Sequence, residues 1–142
     1  MNQDITFLSD GGDTVRDLQM YLSPQAEHIL DWFHITMRIT VLKQMAKGVS
    51  KIECFKDLVK TLDCVKWLLW HGNVFKALQI IEDIEEEIEC YQYENEGKIP
   101  NQKVDKLSKT VGEFGSYISS NRNFIPNYQD RHYYCESIST AF

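Results

Sequence analysis

Asp10 closes a short apolar run, Ile5-Thr6-Phe7-Leu8-Ser9-Asp10, and Gly11-Gly12 follows it at once. A carboxylate released at a strand end, beside glycines that let the backbone turn sharply, is suited to hold a hard divalent cation against phosphate oxygens. Some twenty residues on, His28-Ile29-Leu30-Asp31-Trp32-Phe33-His34 ends in a second acid and a histidine. If the two runs pair in parallel, Asp31 and His34 emerge on the same edge as Asp10, with His34 placed as a phosphate contact or a base. One carboxylate does not run two-metal chemistry, which needs several acids around cations ~3.5–4 Å apart. Taken singly, Asp10 is also an ordinary Asp-Gly turn residue and His34 an ordinary histidine at a strand-to-helix junction.

Other constellations mix polar, basic and aromatic groups. Trp67-Leu68-Leu69-Trp70-His71-Gly72-Asn73 could stack a base, although tryptophans on a helix more often pack. Asn121-Arg122-Asn123 and Arg131-His132-Tyr133-Tyr134 suit nucleic-acid backbones and bases, and equally suit a polar loop with half-buried tyrosines. Asp13 and Asp17 are acids of the kind common at helix starts. No P-loop, GxGxxG, GxSxG or HExxH occurs.

The elements that must position these residues are legible from periodicity. Residues 5–9 and 28–33 read as strands, and a helix with Val15, Leu18, Tyr21 and Leu22 on one face joins them, capped by Asp13 or Thr14. A strand-helix-strand unit of this kind makes a parallel pair. From Ile35 the period becomes helical. Ile35, Ile39, Leu42, Met45/Ala46 and Val49 line a first stripe, and Phe55, Leu58, Val59, Leu62, Val65 and Leu69 a second. Val74, Ala77, Leu78, Ile81, Ile84 and Ile88 give a third, and Val104, Leu107, Val111, Phe114 and Ile118 a fourth. Gly72 suits the position just past a helix end and Asn73 a helix start. Residues 128–142 show no period. The fold class is therefore mainly α with a small α/β part. A two-strand parallel sheet does not cover itself, so residues 1–34 look like the edge of a larger sheet.

Composition narrows the classes. The chain has 142 residues and 43% hydrophobic content, enough for a real core. No apolar run reaches the ~18 residues of a membrane helix, and no leader is visible, so a cytoplasmic location with no membrane partner is expected. Cys54, Cys64, Cys90 and Cys135 lie far apart and read as buried or half-buried free thiols. His132 and Cys135 are half of a zinc site at best. The net charge of −6 opposes simple nucleic-acid coating, but its distribution is uneven. Residues 38–66 carry seven Lys/Arg against three acids, and 82–96 hold eight acids and no base. The basic zone can face phosphate or simply be a solvated helix face.

Five motifs in order carry a resemblance. They are Leu-Ser-Asp-Gly-Gly-Asp-x-Val-Arg-Asp-Leu (8–18), Asp-Trp-Phe-His-Ile-Thr-Met-Arg (31–38), Trp-His-Gly-Asn-Val-Phe-x-Ala-Leu (70–78), Ile-Pro-Asn-Tyr (125–128) and Ser-Ile-Ser-Thr-Ala-Phe (137–142). Together they resemble the bacterial Kra-type insertion-sequence transposases, relatives of the Mutator-like group. The resemblance implies a DDE enzyme with an RNase H-like catalytic core that cuts and joins DNA with two Mg2+ ions. It makes residues 1–49 a partial core of strand, helix, strand, helix, residues 50–120 an all-helical insertion, and 121–142 a return toward a last core helix. Asp10 matches the second acid of the triad and a metal ligand. Asp31 and His34 match an Asp-x-x-His signature, and Gly11, Gly12, Arg38, His71 and Asn73 match motif positions without assigned role. The family usually has glycine where Cys135 stands, a departure expected to relax the local turn.

The same resemblance puts the first acid before Met1 and the third, a Glu, after Phe142; Glu136 is no substitute. The expectation is an internal segment of a transposase, inactive alone, whose partners in the intact enzyme are the insertion-sequence DNA ends. Arg38, His71, Asn73, Arg122 and Arg131 stand with Asp31 and His34 as supporting or DNA-contact candidates. Two other readings compete. One is a small helical protein-interaction module, against which the strand-Asp-Gly-Gly start speaks. The other is a DNA-binding regulatory remnant, which could also self-associate through exposed core surfaces.

Overall fold

The computed structural model describes residues 5–139, the side chains of residues 13–15 excepted. The outer ends of the 1–49 and 121–142 segments, and the packing expected of Val15, lie outside what is described; the cap expected of Asp13 or Thr14 is instead Gly12, because α1 already begins at Asp13. Strand β1 (Thr6–Ser9), helix α1 (Asp13–Leu22) and strand β2 (Glu27–Leu30) form a β-α-β unit whose strands pair in parallel, Thr6 opposite Glu27 through Ser9 opposite Leu30. Helices α2 (Trp32–Gly48), α3 (Leu58–Trp70), α4 (Val74–Glu94) and α5 (Gln102–Ser120) follow, then the short α6 (Tyr128–Tyr133).

The core lies among α2–α5. Ile35, Ile39, Leu42 and Ala46 of α2 meet Leu62, Val65 and Leu69 of α3, Ile81, Ile84 and Ile88 of α4, and Leu107, Val111, Phe114 and Ile118 of α5. These are the stripes that the 3.6-residue period marks, and tertiary burial of such stripes is what holds helices of this length. The β-α-β unit is much less covered. Leu18, Tyr21 and Leu22, expected as the apolar face of α1, are exposed. No described element lies against that face to bury it.

The second strand is shorter than its apolar run. It stops at Leu30, and Asp31 becomes the N-cap of α2, its carboxylate accepting the Phe33 amide at 2.9 Å. Trp32, Phe33 and His34 therefore belong to the first helical turn. An N-cap acid outweighs the strand preference of the aromatic pair, because it satisfies an amide that would otherwise lack a partner. Helix α6, absent from the periodicity, starts on an Asn127 cap after Pro126.

Two helices end in the same way. Past α3 the amides of Gly72 and Asn73 bond the carbonyls of Leu69 and Leu68; past α6 those of Cys135 and Glu136 bond His132 and Arg131. Both are Schellman ends, which place a left-handed residue just beyond the helix. Gly72 has φ +72°, and a Cβ there would meet Pro126 O and Asn127 N at 3.0 Å. Cys135 occupies the equivalent position with φ +58°. The cysteine thus does not relax the turn but takes the strained conformation itself. Since a left-handed L-residue costs roughly 1–2 kcal/mol, partly offset by the entropy glycine adds to the unfolded chain, Cys135→Gly is expected to stabilise the protein by up to about 1 kcal/mol. A thermal melt should rise by roughly 2–4 °C. All four cysteines are exposed and unpaired, contrary to the expectation of buried or half-buried thiols.

Candidate functional site

Asp10 and Asp31 each follow the last paired rung, and the Asp31 amide extends the ladder by bonding Ser9 O at 2.7 Å. The two acids therefore leave the same end of adjacent parallel strands, where open α/β sheets present ligand-binding groups. Their environments differ. Asp10 is exposed, and one of its carboxylate oxygens accepts the Gly12 amide at 2.9 Å. The Gly11 amide bonds Ser9 Oγ at 3.0 Å, so the turn is closed by two side chains of its own segment. Asp31 is buried, 1% exposed, and its Oδ2 lies 3.3 Å from His34 Nδ1, within ion-pair range but without a hydrogen bond. Half-buried His34 thus stands beside a buried carboxylate, with which its ring would pair when protonated.

Arg38 joins this group one helical turn beyond His34. Its guanidinium lies 3.9 Å over the ring of Tyr117, a residue of α5 that the sequence offered no reason to select. The Tyr117 hydroxyl donates to Asp10 O at 3.1 Å. Burial pushes that hydroxyl up to about 12; the Asp10 and Asp31 charges act in the same direction and the Arg38 cation opposes them. Tyr117 thus stays a donor throughout the physiological range. Gly11 is forced by the same ring. It has φ +99°, and a Cβ would sit 2.6 Å from Tyr117 Cε2.

A second tyrosine does for β2 what Tyr117 does for the Asp10 turn. Leu30 O faces away from β1, and the Tyr128 hydroxyl donates to it at 2.6 Å. The α2 start is closed from the C-terminal side as well, since Trp32 N bonds Ile138 O at 2.9 Å. The Ile125-Pro126-Asn127-Tyr128 and Ser137-Ile138-Ser139 segments are in this way clamps on the strand ends. Tyr128 stood inside a recognised motif without a role, and Tyr117 lies on the flank of its helix stripe, where sequence gives no signal.

The remaining candidates divide. Arg131 is buried and ion-paired with Glu27 and Glu136, and its Nε donates to Ser137 O at 3.0 Å; it is bound within the fold rather than offered to DNA. His71 sits edge-on to the Trp67 ring, 4.3 Å between centroids, and Asn73 caps α4 through the Lys76 amide, so both belong to the α3–α4 turn. Arg122 is exposed in the 3-10 turn Arg122–Phe124. Gly12 is the N-cap of α1. Among the described residues no group of three His, Cys, Asp or Glu side chains could hold a metal ion. Asp10 supplies one carboxylate, and the described residues by themselves do not fit a pair of Mg2+ ions. Among them, too, no helix is long and apolar enough to cross a membrane. Comparison of the chain with protein-family models, curated proteins and solved structures finds no match.

Proposed function

We propose that this chain is a segment of a DNA transposase with an RNase H-like core, contributing one carboxylate of the acid set and part of the DNA-facing surface. The observation that carries the reading is the exposed Asp10 beside Asp31 and His34 at one end of a parallel strand pair. A helical packing module has no use for such an arrangement. In this reading Asp10 is an acid that acts with carboxylates supplied by other residues, Asp31 orients His34, and Arg38 and Arg122 meet phosphate. The chain alone binds DNA without cutting it, because several carboxylates are needed to stabilise both the attacking and the leaving oxygen.

Fluorescence anisotropy with a labelled duplex tests the binding half. Affinity should fall with rising salt, and Arg38→Ala and Arg122→Ala should each reduce the salt slope by about one. No binding at low salt would overturn the reading. A supercoiled-plasmid assay with Mg2+ tests the other half: nicking by the pure protein that disappears in Asp10→Ala would show that the acid set is complete without further residues.

A helical interaction module remains a second reading on one observation. Met37 and Val41 of α2 are exposed beside an apolar groove of about 190 Å³ between α2 and α5, lined also by Leu42 and Phe114. A protein partner seated there would leave DNA affinity low and independent of Arg122.

A further inference from the structure

We propose that Tyr117 is the positioning residue for Asp10, a latch through which the helical part of the chain sets the geometry of the carboxylate turn. The inference rests on the reading of Asp10 as a working acid, but its physical content is separate from DNA binding.

Three contacts converge on the turn. The Tyr117 hydroxyl holds Asp10 O at 3.1 Å. Its ring occupies the space a side chain at Gly11 would need. Asn121, one turn further along, also borders the space at Gly11. Its Nδ2 donates to Tyr117 O at 2.7 Å and lies 3.1 Å from where a Gly11 Cβ would be. Arg38 covers the ring face at 3.9 Å, so the ring is held by α2 as well as α5. By contrast, the turn's own segment gives it only the two short-range bonds of Gly11 and Gly12. Short Asx and Ser turns of this kind are weak alone. What keeps Asp10 Oδ1 on the Gly12 amide is therefore a ring delivered from 107 residues away. The helical segment is in this sense a part of the acid site and not merely an appendage to it.

Amide hydrogen exchange followed by NMR tests the latch in the full chain. The Gly12 amide reports the carboxylate's own bond. Tyr117→Phe keeps the ring and removes only the hydroxyl; it should raise Gly12 exchange about fivefold to tenfold, the worth of one neutral hydrogen bond. Amides of Leu107, Val111 and Ile118 should not change. Tyr117→Ala should raise Gly12 exchange further. In an Asp10→Ala background, where the carboxylate bond is already gone, Tyr117→Phe should add nothing, since the two changes act on one interaction. Unchanged Gly12 exchange in both Tyr117 variants would overturn the proposal. So would equal acceleration throughout α2–α5, or full additivity with Asp10→Ala, because either makes Tyr117 merely structural. A chain that fails to bind DNA yet shows the coupled Gly12 effect would refute the transposase reading and leave the latch standing.

Discussion

Unfolding free energy is expected to fall steeply as the pH rises past 10, and Tyr128→Phe is expected to remove much of that fall. Burial holds the Tyr128 hydroxyl well above its ordinary value of 10.0, with the charges of Tyr117 and Asp31 adding and Arg131 opposing. A group whose folded pKa is raised binds its proton more tightly in the native state. Its contribution is fully present below pH 10 and is lost as the pH climbs toward the folded value. The loss is about 1.4 kcal/mol per pH unit for a single such group. Tyr117, raised to about 12, acts in the same window but contributes less, being half-buried and screened by water. At pH 8 the phenylalanine variant should itself be less stable by about 1–3 kcal/mol, since it leaves the buried Leu30 carbonyl without a donor. Denaturant unfolding at several pH values from 8 to 11 measures both effects. A wild-type profile flat across that range would show that the hydroxyl is not held as described.

Arg131→Ala is the second large expected effect, and it separates two roles for one residue. The side chain is 8% exposed and bonds Glu27, Glu136 and Ser137 O, drawing the C-terminal strap against β2. Charge-assisted bonds of this kind are worth about 1.5–3 kcal/mol each when they are removed, and the lost stem packing adds to them. A destabilisation of about 2–3 kcal/mol is expected after allowing for the half-exposed carboxylates. In the proposed DNA-binding reading, the salt slope should not move. Normal stability together with a slope reduced by one would reverse the assignment and put Arg131 on phosphate.

Much of the helical architecture is readable from the sequence because its signal is redundant. Five apolar positions on α5 and four on α2 repeat at 3,4 spacing, and every one of them is buried. The strand boundary at Leu30 was less legible. Ile29-Leu30 and Trp32-Phe33 are apolar pairs separated by Asp31 alone, and only the capping chemistry of that residue marks where extended backbone gives way to helix. Six residues of α6 are too few to establish a period. The site is legible in its acids and not in its supports. Asp10 and Asp31 announce themselves by type and by position just past strand ends, and His34 only by its type and its closeness to Asp31. Tyr117 and Tyr128 act through backbone carbonyls about a hundred residues away. No spacing rule connects residues so distant. Arg131 misleads for a related reason: a basic residue among tyrosines looks exposed until the carboxylates that bury it are brought from elsewhere in the chain.

The distance of those two tyrosines from the strands they hold also imposes a timetable on synthesis. Residue 30 leaves the ribosome long before residue 128. At roughly 5–20 residues per second, the two strands exist for about 5–20 s before the hydroxyl that closes Leu30 can reach it. Meanwhile α2–α4 can already assemble through contacts between consecutive helices. Helices α2–α4 can therefore pack before either tyrosine arrives, and β1 and β2 are fastened only once α5 and α6 are made.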